Sequence, residues 1–183
     1  MTIKELSIKG VLEIQLEAKE DSRGFFMRTY DDKVFNAHGI NKNWVQEYQS
    51  FSKEKGVIRG IHLQLEPFAE TKLIRVVSGE IFDVFVDLRK GSETFGKWGS
   101  NLISAKNKKI ICIPRGFGHA FCTLAENTHV ICKMDNYYSF ESERQVKWND
   151  PDLGIIWPLE GVPVISEKDA NAKGLKEFIK TCI

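Results

Sequence analysis

The sequence lacks a long apolar run, an excess of basic residues and a signal-peptide pattern. None of its apolar stretches approaches the roughly 20 residues that cross a bilayer, and its first ten residues contain no apolar segment followed by small residues. Lys and Arg number 26 against 25 Asp and Glu, which gives a net charge of +1. Because nucleic-acid binding depends on an excess of basic groups, we expect a cytoplasmic protein that binds neither nucleic acid nor a membrane.

Paired cysteines are also missing. The four cysteines are Cys112, Cys122, Cys132 and Cys182, and none forms the C-x-x-C pair of a zinc site or a thiol oxidoreductase. We therefore expect reduced thiols, most of them buried as small apolar side chains. The length of 183 residues predicts a single domain over 1–183, since domains typically contain roughly 100–200 residues.

Short β-branched and aromatic runs, separated by turn residues, fill most of the chain and predict an all-β sandwich or barrel. The predicted strands are 56–65, 71–77, 80–88, 96–102, 109–113 and 128–134. Helical periodicity is limited to 31–37 and to the tail, where Ser166 is expected to cap a helix that runs toward Lys180.

Strand alternation indicates which side chains share a face. Along 80–88 it places Asp83 and Asp87 on the same face, where they either meet solvent or line a polar pocket inside a barrel. Along 128–134 it places Cys132 at the centre of an apolar face that we expect to point inward.

Two histidine motifs suggest a specific barrel. Residues 113–119, IPRGFGH, have the P-x-G-x-x-H spacing of the second cupin motif, and His62 and Gln64 occupy the positions of the H-x-H pair in the first. The chain thus resembles a cupin-type jelly-roll barrel with short peripheral helices. We expect no metal, because the neutral amide of Gln64 is a poor ligand for a transition metal. A strand histidine in such a pocket suits proton transfer instead.

Further motifs occur in a fixed order along the chain: DSRGFF (21–26), VIRGIH (57–62), KLIR (72–75), GEIFDVFVD (79–87), IPRGFGH (113–119), NYY (136–138), WNDPDLGI (148–155) and SEKD (166–169). In this order they resemble the nucleotide-sugar epimerases typified by dTDP-4-dehydrorhamnose 3,5-epimerase. The resemblance covers about 21–169. It implies a cofactor-free enzyme that inverts C3 and C5 of a nucleoside-diphosphate-linked 4-keto-6-deoxy hexose or heptose, in the synthesis of surface polysaccharide.

The resemblance also implies catalytic roles. His62 would be the general base, Asp169 its orienting partner, and Lys72 the cation that stabilises the enolate oxygen. Asp83 occupies another position that the family keeps near Lys72. A homodimer is implied as well, because exchanged N-terminal strands in this family bring residues from one subunit into the site of the other.

Several residues match positions that contact the ligand: Arg23, Arg28, Gln46, Arg59, His119, Tyr138, Glu143 and Lys168. Arg23 and Arg59 would hold the diphosphate, and Tyr138 would stack on the base. Arg59 and His62 lie three residues apart and would point to opposite faces of a regular strand, so a bulge is expected at Gly60.

The main departure from the family is Cys132, at the position of the tyrosine that serves as catalytic acid. A thiol is able to donate a proton, although it is shorter than a phenol by about the length of a ring. The alternatives are a proton relayed through water, a donor elsewhere such as Tyr137, or a Cys132 that only packs. In the last case one inversion could fail and leave a C3-only epimerase.

A second departure is Arg28, where thymidine-using members place a glutamate against the base. Nearby, Gln46-Glu-Tyr48 resembles a Q-x-N element of the family, with Tyr48 in place of the asparagine. These changes make GDP a rival to dTDP as the nucleotide. Two other functions stay open at this point: a 3,4-ketoisomerase, and a sugar-binding barrel without catalysis.

Overall fold

A computed structural model describes residues 1–40 and 42–182. Over these residues the chain forms fourteen strands and three short helices. The strands are β1 (Thr2–Glu5), β2 (Leu12–Gln15), β3 (Ala18–Asp21), β4 (Gly24–Met27), β5 (Gln46–Ser52), β6 (Val57–Gln64), β7 (Lys72–Ser78), β8 (Glu80–Asp87), β9 (Trp98–Ser104), β10 (Lys109–Ile113), β11 (Phe117–Thr123), β12 (Thr128–Met134), β13 (Glu143–Gln145) and β14 (Val164–Ile165). The helices are α1 (Asp32–Ala37), α2 (Glu167–Ala170) and α3 (Leu175–Cys182).

Two facing sheets form the barrel. The first sheet has the order β1-β2-β10-β7-β12-β5, and the second has the order β13-β6-β11-β8-β9. The strands of both sheets pair antiparallel, except that the short β14 runs parallel to β6. Strands β3 and β4 form a separate hairpin. This arrangement confirms the all-β, cupin-type barrel with short peripheral helices that the sequence predicts.

The interior of the barrel is an apolar cluster to which both sheets contribute. Ile81 and Phe85 of β8 pack there with Val130 and Cys132 of β12, and all four side chains are buried. The opposite face of β8 is buried too, because Val84 and its neighbours pack against the C-terminal helix α3. Cys132 therefore points inward, as the alternation along 128–134 predicts.

The two carboxylates of β8 have different surroundings, although both are buried. Asp83 lies inside the barrel and hydrogen-bonds with His119, which agrees with the pocket alternative. Asp87 accepts hydrogen bonds from Arg89, Ser92 and Thr94 and so fixes the loop that follows β8.

The predicted capping residues are present, but one of the two predicted helices is divided. Asp31 caps α1 by accepting a hydrogen bond from the Val34 amide, and Ser166 caps α2 in the same way from the Asp169 amide. The expectation of one helix from Ser166 toward Lys180 is wrong, because α2 ends at Ala170 and α3 begins at Leu175. The Asp150 carboxylate accepts a hydrogen bond from the Leu175 amide and starts α3 separately.

Within residues 1–40 and 42–182, none of the helices has the length and apolar character needed to cross a membrane. The cysteines described in these ranges are all free, and Cys112, Cys122 and Cys132 are buried.

Candidate active site

A cleft of about 480 Å³ opens between the two sheets. Six of the site residues predicted from the sequence line it: Arg59, His62, Lys72, His119, Lys168 and Asp169. The other lining residues are Tyr48, Ser50, Val57, Ile58, Phe121, Val164 and Ser166. Nine of these thirteen side chains carry a polar or charged group, so the cleft suits a polar ligand.

His62 and Asp169 form a close pair in this cleft. Nε2 of His62 lies 2.6 Å from Oδ1 of Asp169, and the Gly60 amide donates to Oδ2 at 3.3 Å. Asp169 is buried, whereas one third of the His62 side chain is exposed. A carboxylate at Nε2 holds the proton on that nitrogen, so Nδ1 carries the lone pair that can accept another proton.

The charge of Asp169 is maintained by its partners. Burial alone raises the pKa of this carboxyl, but the hydrogen bonds and charge of His62, together with the Gly60 amide and the Ser166 hydroxyl, outweigh burial and hold the pKa below its usual value. Asp169 therefore stays ionised at neutral pH and stabilises a positively charged His62.

Lys72 approaches the same histidine from the other sheet. Its buried ammonium group donates to the His62 carbonyl at 3.0 Å and lies 3.4 Å from Oε1 of Glu70. Glu70 was not predicted from the sequence, because the loop between β6 and β7 has no recognisable pattern. These two contacts fix the position of a cation in the cleft.

Gln64 has a structural role in this loop region. Its Nε2 donates to the carbonyl oxygens of Phe68 and Tyr137 and to the carboxylate of Glu70, and its Oε1 accepts from the Ser139 amide. Among the described residues, no group of three or more His, Cys, Asp or Glu side chains is arranged to hold a metal ion.

A second histidine–carboxylate pair lies beside the first. His119 of β11 is directly opposite His62 of β6 in the sheet register. Its Nε2 lies 2.7 Å from Oδ1 of Asp83, and both side chains are buried. Oδ2 of Asp83 is buried without a hydrogen-bond partner. The pair therefore forms a rigid, polar part of the cleft wall.

The predicted bulge in β6 is present. His62 pairs with His119, whereas Arg59 pairs with Phe121, so three steps along β6 match two steps along β11. Gly60 lies between them with a φ of +116°, and a Cβ at this position would lie 2.5 Å from the His119 carbonyl oxygen. The extra residue brings Arg59 and His62 into the same cleft.

A cluster of polar groups lies near α2, and Lys168 is the member of this cluster that lines the cleft. Lys168 donates to both carboxylate oxygens of Glu143 at 2.7 Å, and the Tyr138 hydroxyl donates to Oε2 of Glu143 at 3.1 Å. Gln46 accepts a hydrogen bond from the Tyr138 amide at 2.6 Å. These contacts place Tyr138, Glu143, Lys168 and Gln46 together.

The sequence model of the family described as dTDP-4-dehydrorhamnose 3,5-epimerase matches residues 5–177. The chain belongs to this family. A dTDP-4-dehydrorhamnose 3,5-epimerase from Shigella flexneri is 44% identical over 174 residues, which are 94% of this chain and 95% of the relative. The crystal structure of the Bacillus anthracis 3,5-epimerase with TDP and PPi bound has a TM-score of 0.92 at 41% identity, and the match covers 95% of this chain and 99% of that one.

A third similar protein is a 3'-monoepimerase from Streptomyces bikiniensis, crystallised in complex with dTDP-quinovose. It has a TM-score of 0.91 at 30% identity, and the match covers 96% of this chain and 88% of that one. The present chain is accordingly a nucleotide-sugar epimerase, an isomerase of carbohydrates.

Two arginines expected at the ligand do not reach the cleft of this epimerase within one chain. Arg23 lies at the tip of the β3–β4 hairpin, is 88% exposed and pairs with Asp21 at 2.7 Å. Arg28 follows the hairpin and pairs with Asp31 at 2.5 Å. Neither arginine lines the cleft that contains His62.

Cys132 also differs from the other candidates, because it has no exposed surface and is absent from the cleft lining. Burial raises the pKa of its thiol to about 12. Its neighbour on β5, Tyr48, lines the cleft instead. Tyr48 thus lies in one cleft with His62 and Lys72, a position that the sequence did not predict. The position of Tyr48 follows from the pairing of β5 with β12, which was not predicted from the sequence either.

Proposed function

We propose that this epimerase inverts C3 and C5 of a nucleoside-diphosphate-linked 4-keto-6-deoxy sugar through an enolate, without a cofactor. The observation that carries the proposal is the His62–Asp169 pair with Lys72 beside it in one cleft. A C4 carbonyl acidifies the C–H bonds at C3 and C5, because the carbanion delocalises onto O4. A base and a cation are what that chemistry requires on the protein.

In the first step, Nδ1 of His62 takes the proton from C3 or C5. The electron pair of the broken C–H bond forms the enolate double bond, and the C4 carbonyl becomes an oxyanion. Asp169 holds the proton on Nε2 and stabilises the imidazolium that results. The exposed third of the His62 side chain gives the sugar access to this base.

Lys72 would stabilise the oxyanion on C4. Its ammonium group is held by the His62 carbonyl and Glu70, so it is in place before the charge develops. A preorganised donor of this kind lowers a barrier by about 3 kcal/mol. His119 and Asp83 would form the polar wall beside the sugar.

Arg59 supports binding of a diphosphate. Its guanidinium is oriented by the Phe51 carbonyl at 3.0 Å and the Ser52 hydroxyl at 3.3 Å, and it lines the cleft. A planar guanidinium fork matches phosphate oxygens well. Tyr138 would stack on the base, with Gln46, Glu143 and Lys168 around it. TDP in the Bacillus anthracis relative favours a thymidine nucleotide, and Arg28 is the reason to test GDP as well.

A homodimer would complete this site, because it offers a second copy of the chain to supply Arg23 and Arg28. We further propose that residues 1–183 act as one epimerase domain in the cytoplasm and provide sugars for surface polysaccharide. Inversion at C3 alone is the second candidate function. It is favoured by Cys132 at the expected position of the acid and by the similarity to a 3'-monoepimerase.

Deuterium exchange tests both candidates. The protein is incubated in D₂O with dTDP- and GDP-linked 4-keto-6-deoxyglucose, and the signals of H3 and H5 are followed by NMR. We expect deuterium and inversion at both carbons, whereas exchange at C3 alone would support the restricted activity. As a control, His62→Asn should slow exchange by about 100-fold or more. If the wild type exchanges neither H3 nor H5 on both the dTDP-linked and the GDP-linked substrate, the epimerase function is refuted.

A further inference from the structure

Inversion of a carbon centre needs two protein groups on opposite sides of the substrate. The base removes a proton from one face, and an acid returns a proton to the other. His62 lies on β6 of the second sheet, so the acid is expected on the wall formed by the first sheet. The polar side chains that the first sheet contributes to the cleft are Tyr48, Ser50 and Lys72.

Tyr48 is the best proton donor of these three. An alkyl hydroxyl such as that of Ser50 is a much weaker acid than a phenol, whose unperturbed pKa is about 10. Lys72 is held by the His62 carbonyl and Glu70 at the position proposed for the oxyanion. Tyr48 projects from the wall opposite His62 and carries an acid that no other step uses.

The pairing of β5 with β12 explains how Tyr48 reaches this position. Tyr48 is the direct cross-strand partner of Cys132, and directly opposite residues in an antiparallel pair project from the same face of the sheet. The Tyr48 hydroxyl interacts electrostatically with the Cys132 thiol, whose own hydrogen bond goes to the Lys133 carbonyl. The Tyr48 ring therefore lies over the small Cys132 side chain and covers it from the cleft.

We propose that Tyr48 is the catalytic acid that protonates the enolate on the face opposite His62. In this step the phenol O–H bond breaks and a C–H bond forms at C3 or C5, while the electron pair on O4 restores the C4 carbonyl. The phenolate then regains a proton, and His62 releases one, by exchange with water before the next turnover. This inference rests on the proposed epimerase function.

The surroundings of Tyr48 keep the acid protonated until the enolate forms. Although 44% of the residue is exposed, its hydroxyl end interacts with Cys132, Glu70 and Asp83. Burial of the hydroxyl raises the pKa of Tyr48 well above 10, and these neighbours raise it further. Lys72 lines the same cleft and offers a positive charge to the phenolate.

Tyr48→Phe tests the proposal, because it removes the hydroxyl and keeps the ring. In D₂O with the 4-keto sugar nucleotide that the wild type uses, inversion should fall about 100-fold or more. Exchange with retention should persist within about tenfold of the wild-type rate, since His62 still removes the proton and returns deuterium to the same face. Tyr30→Phe is the matched control: it removes a phenol hydroxyl that hydrogen-bonds with Asp32 outside the cleft, and its inversion rate should match the wild type.

Inversion by Tyr48→Phe at the wild-type rate would overturn the role of Tyr48 and leave the epimerase function intact. A wild type that neither exchanges nor inverts would instead overturn both. Cys132→Ser separates the two candidate acids: we expect it to retain inversion within about tenfold, and a loss as large as that of Tyr48→Phe would move the acid to Cys132.

A relocated phenol gives a second, independent test. The double variant Tyr48→Asn with Cys132→Tyr moves the hydroxyl to the partner strand on the same face of the sheet. We expect it to invert at least about tenfold faster than Tyr48→Asn alone. Equal rates for the two variants, with cooperative unfolding preserved in both, would show that a phenol on this wall is not the proton donor.

Discussion

The two ends of the cleft differ in how many of their predicted residues a single chain places there. At the catalytic end, His62, Asp169 and Lys72 have all their orienting partners within the same barrel. At the proposed nucleotide end, Arg59 lines the cleft, but Arg23 and Arg28 lie outside it beside their own acidic neighbours. One chain thus holds the proposed catalytic groups together, whereas Arg23 and Arg28 lie away from the cleft, which is why we propose that a second subunit completes the site.

The β3–β4 hairpin differs from the barrel in the exposure of its apolar side chains and in its strand pairing. Phe25 is 57% exposed and Phe26 is 75% exposed, and the hairpin pairs with neither sheet. A two-stranded hairpin is only marginally stable alone in water, and adjacent exposed aromatic residues mark an interaction surface. A second copy of this chain is the occupant we propose, because the hairpin carries Arg23.

The largest effect is expected at the catalytic end, from Asp169→Asn. The amide can no longer hold the proton on Nε2 of His62 or stabilise its charge, so turnover should fall roughly 100-fold or more while substrate affinity changes little. Single-turnover kinetics and a binding titration measure the two quantities separately. A loss of affinity with unchanged turnover would contradict the orienting role.

The same substitution should change the response to acid. The pKa of Asp169 in the folded chain lies below its ordinary value of 3.8, so the carboxylate contributes stability above about pH 4, and this contribution is lost as the pH falls through the folded-state pKa. Denaturant unfolding at a series of pH values should show this acid-side loss in the wild type and a smaller one in Asp169→Asn.

A smaller effect is expected at the nucleotide end, from Arg23→Ala. Loss of a charged hydrogen bond to the diphosphate should raise KM roughly 10- to 100-fold, with little change in turnover. Mixing this variant with inactive His62→Asn, under conditions where subunits exchange, should then restore about a quarter of the wild-type activity, because half of the dimers contain one intact site. No recovery on mixing would mean that Arg23 acts within its own subunit or not at all.

The smallest effect is expected from Arg28→Glu. If Arg28 contacts the base, the substitution should shift the ratio of KM values for dTDP- and GDP-linked substrates in favour of dTDP, by less than about fivefold, as exposed charges usually do. Steady-state kinetics with both substrates measures the ratio. An unchanged ratio would remove Arg28 from nucleotide selection.

Strong local patterns made much of the barrel predictable. The run 128–134 coincides with β12, and 80–88 and 109–113 match β8 and β10 closely, because apolar β-branched residues alternate in them. Strands β1 to β4 were not predicted, since each has only four residues and owes its conformation to pairing with a neighbour. The break between α2 and α3 depends on Asp150, which is distant in sequence.

Motifs predicted most of the charged residues of the cleft, but not the position of Arg23, which lies outside it. His62, Lys72, His119 and Asp169 meet in one cleft, and the glycine at position 60 correctly indicated the bulge beside Arg59. The position of Tyr48 was not predictable, because it follows from the register between β5 and β12, which lie about eighty residues apart. Strand register across such a distance is set by tertiary packing and leaves little trace in either segment.

The bulge at Gly60 has a consequence for which ligands the cleft can accommodate. The separation between Arg59 and His62 is built into the backbone of β6, and the close approach of the His119 carbonyl leaves no room for a side chain at position 60. The Arg59 guanidinium is also held by the Phe51 carbonyl and the Ser52 hydroxyl, which limits its rotation. With Arg59 at the diphosphate and His62 as the base, as proposed above, this spacing would set the distance from the diphosphate to the reacting carbon, and the enzyme should tolerate a new group on the sugar more readily than a shorter or longer link to the phosphate.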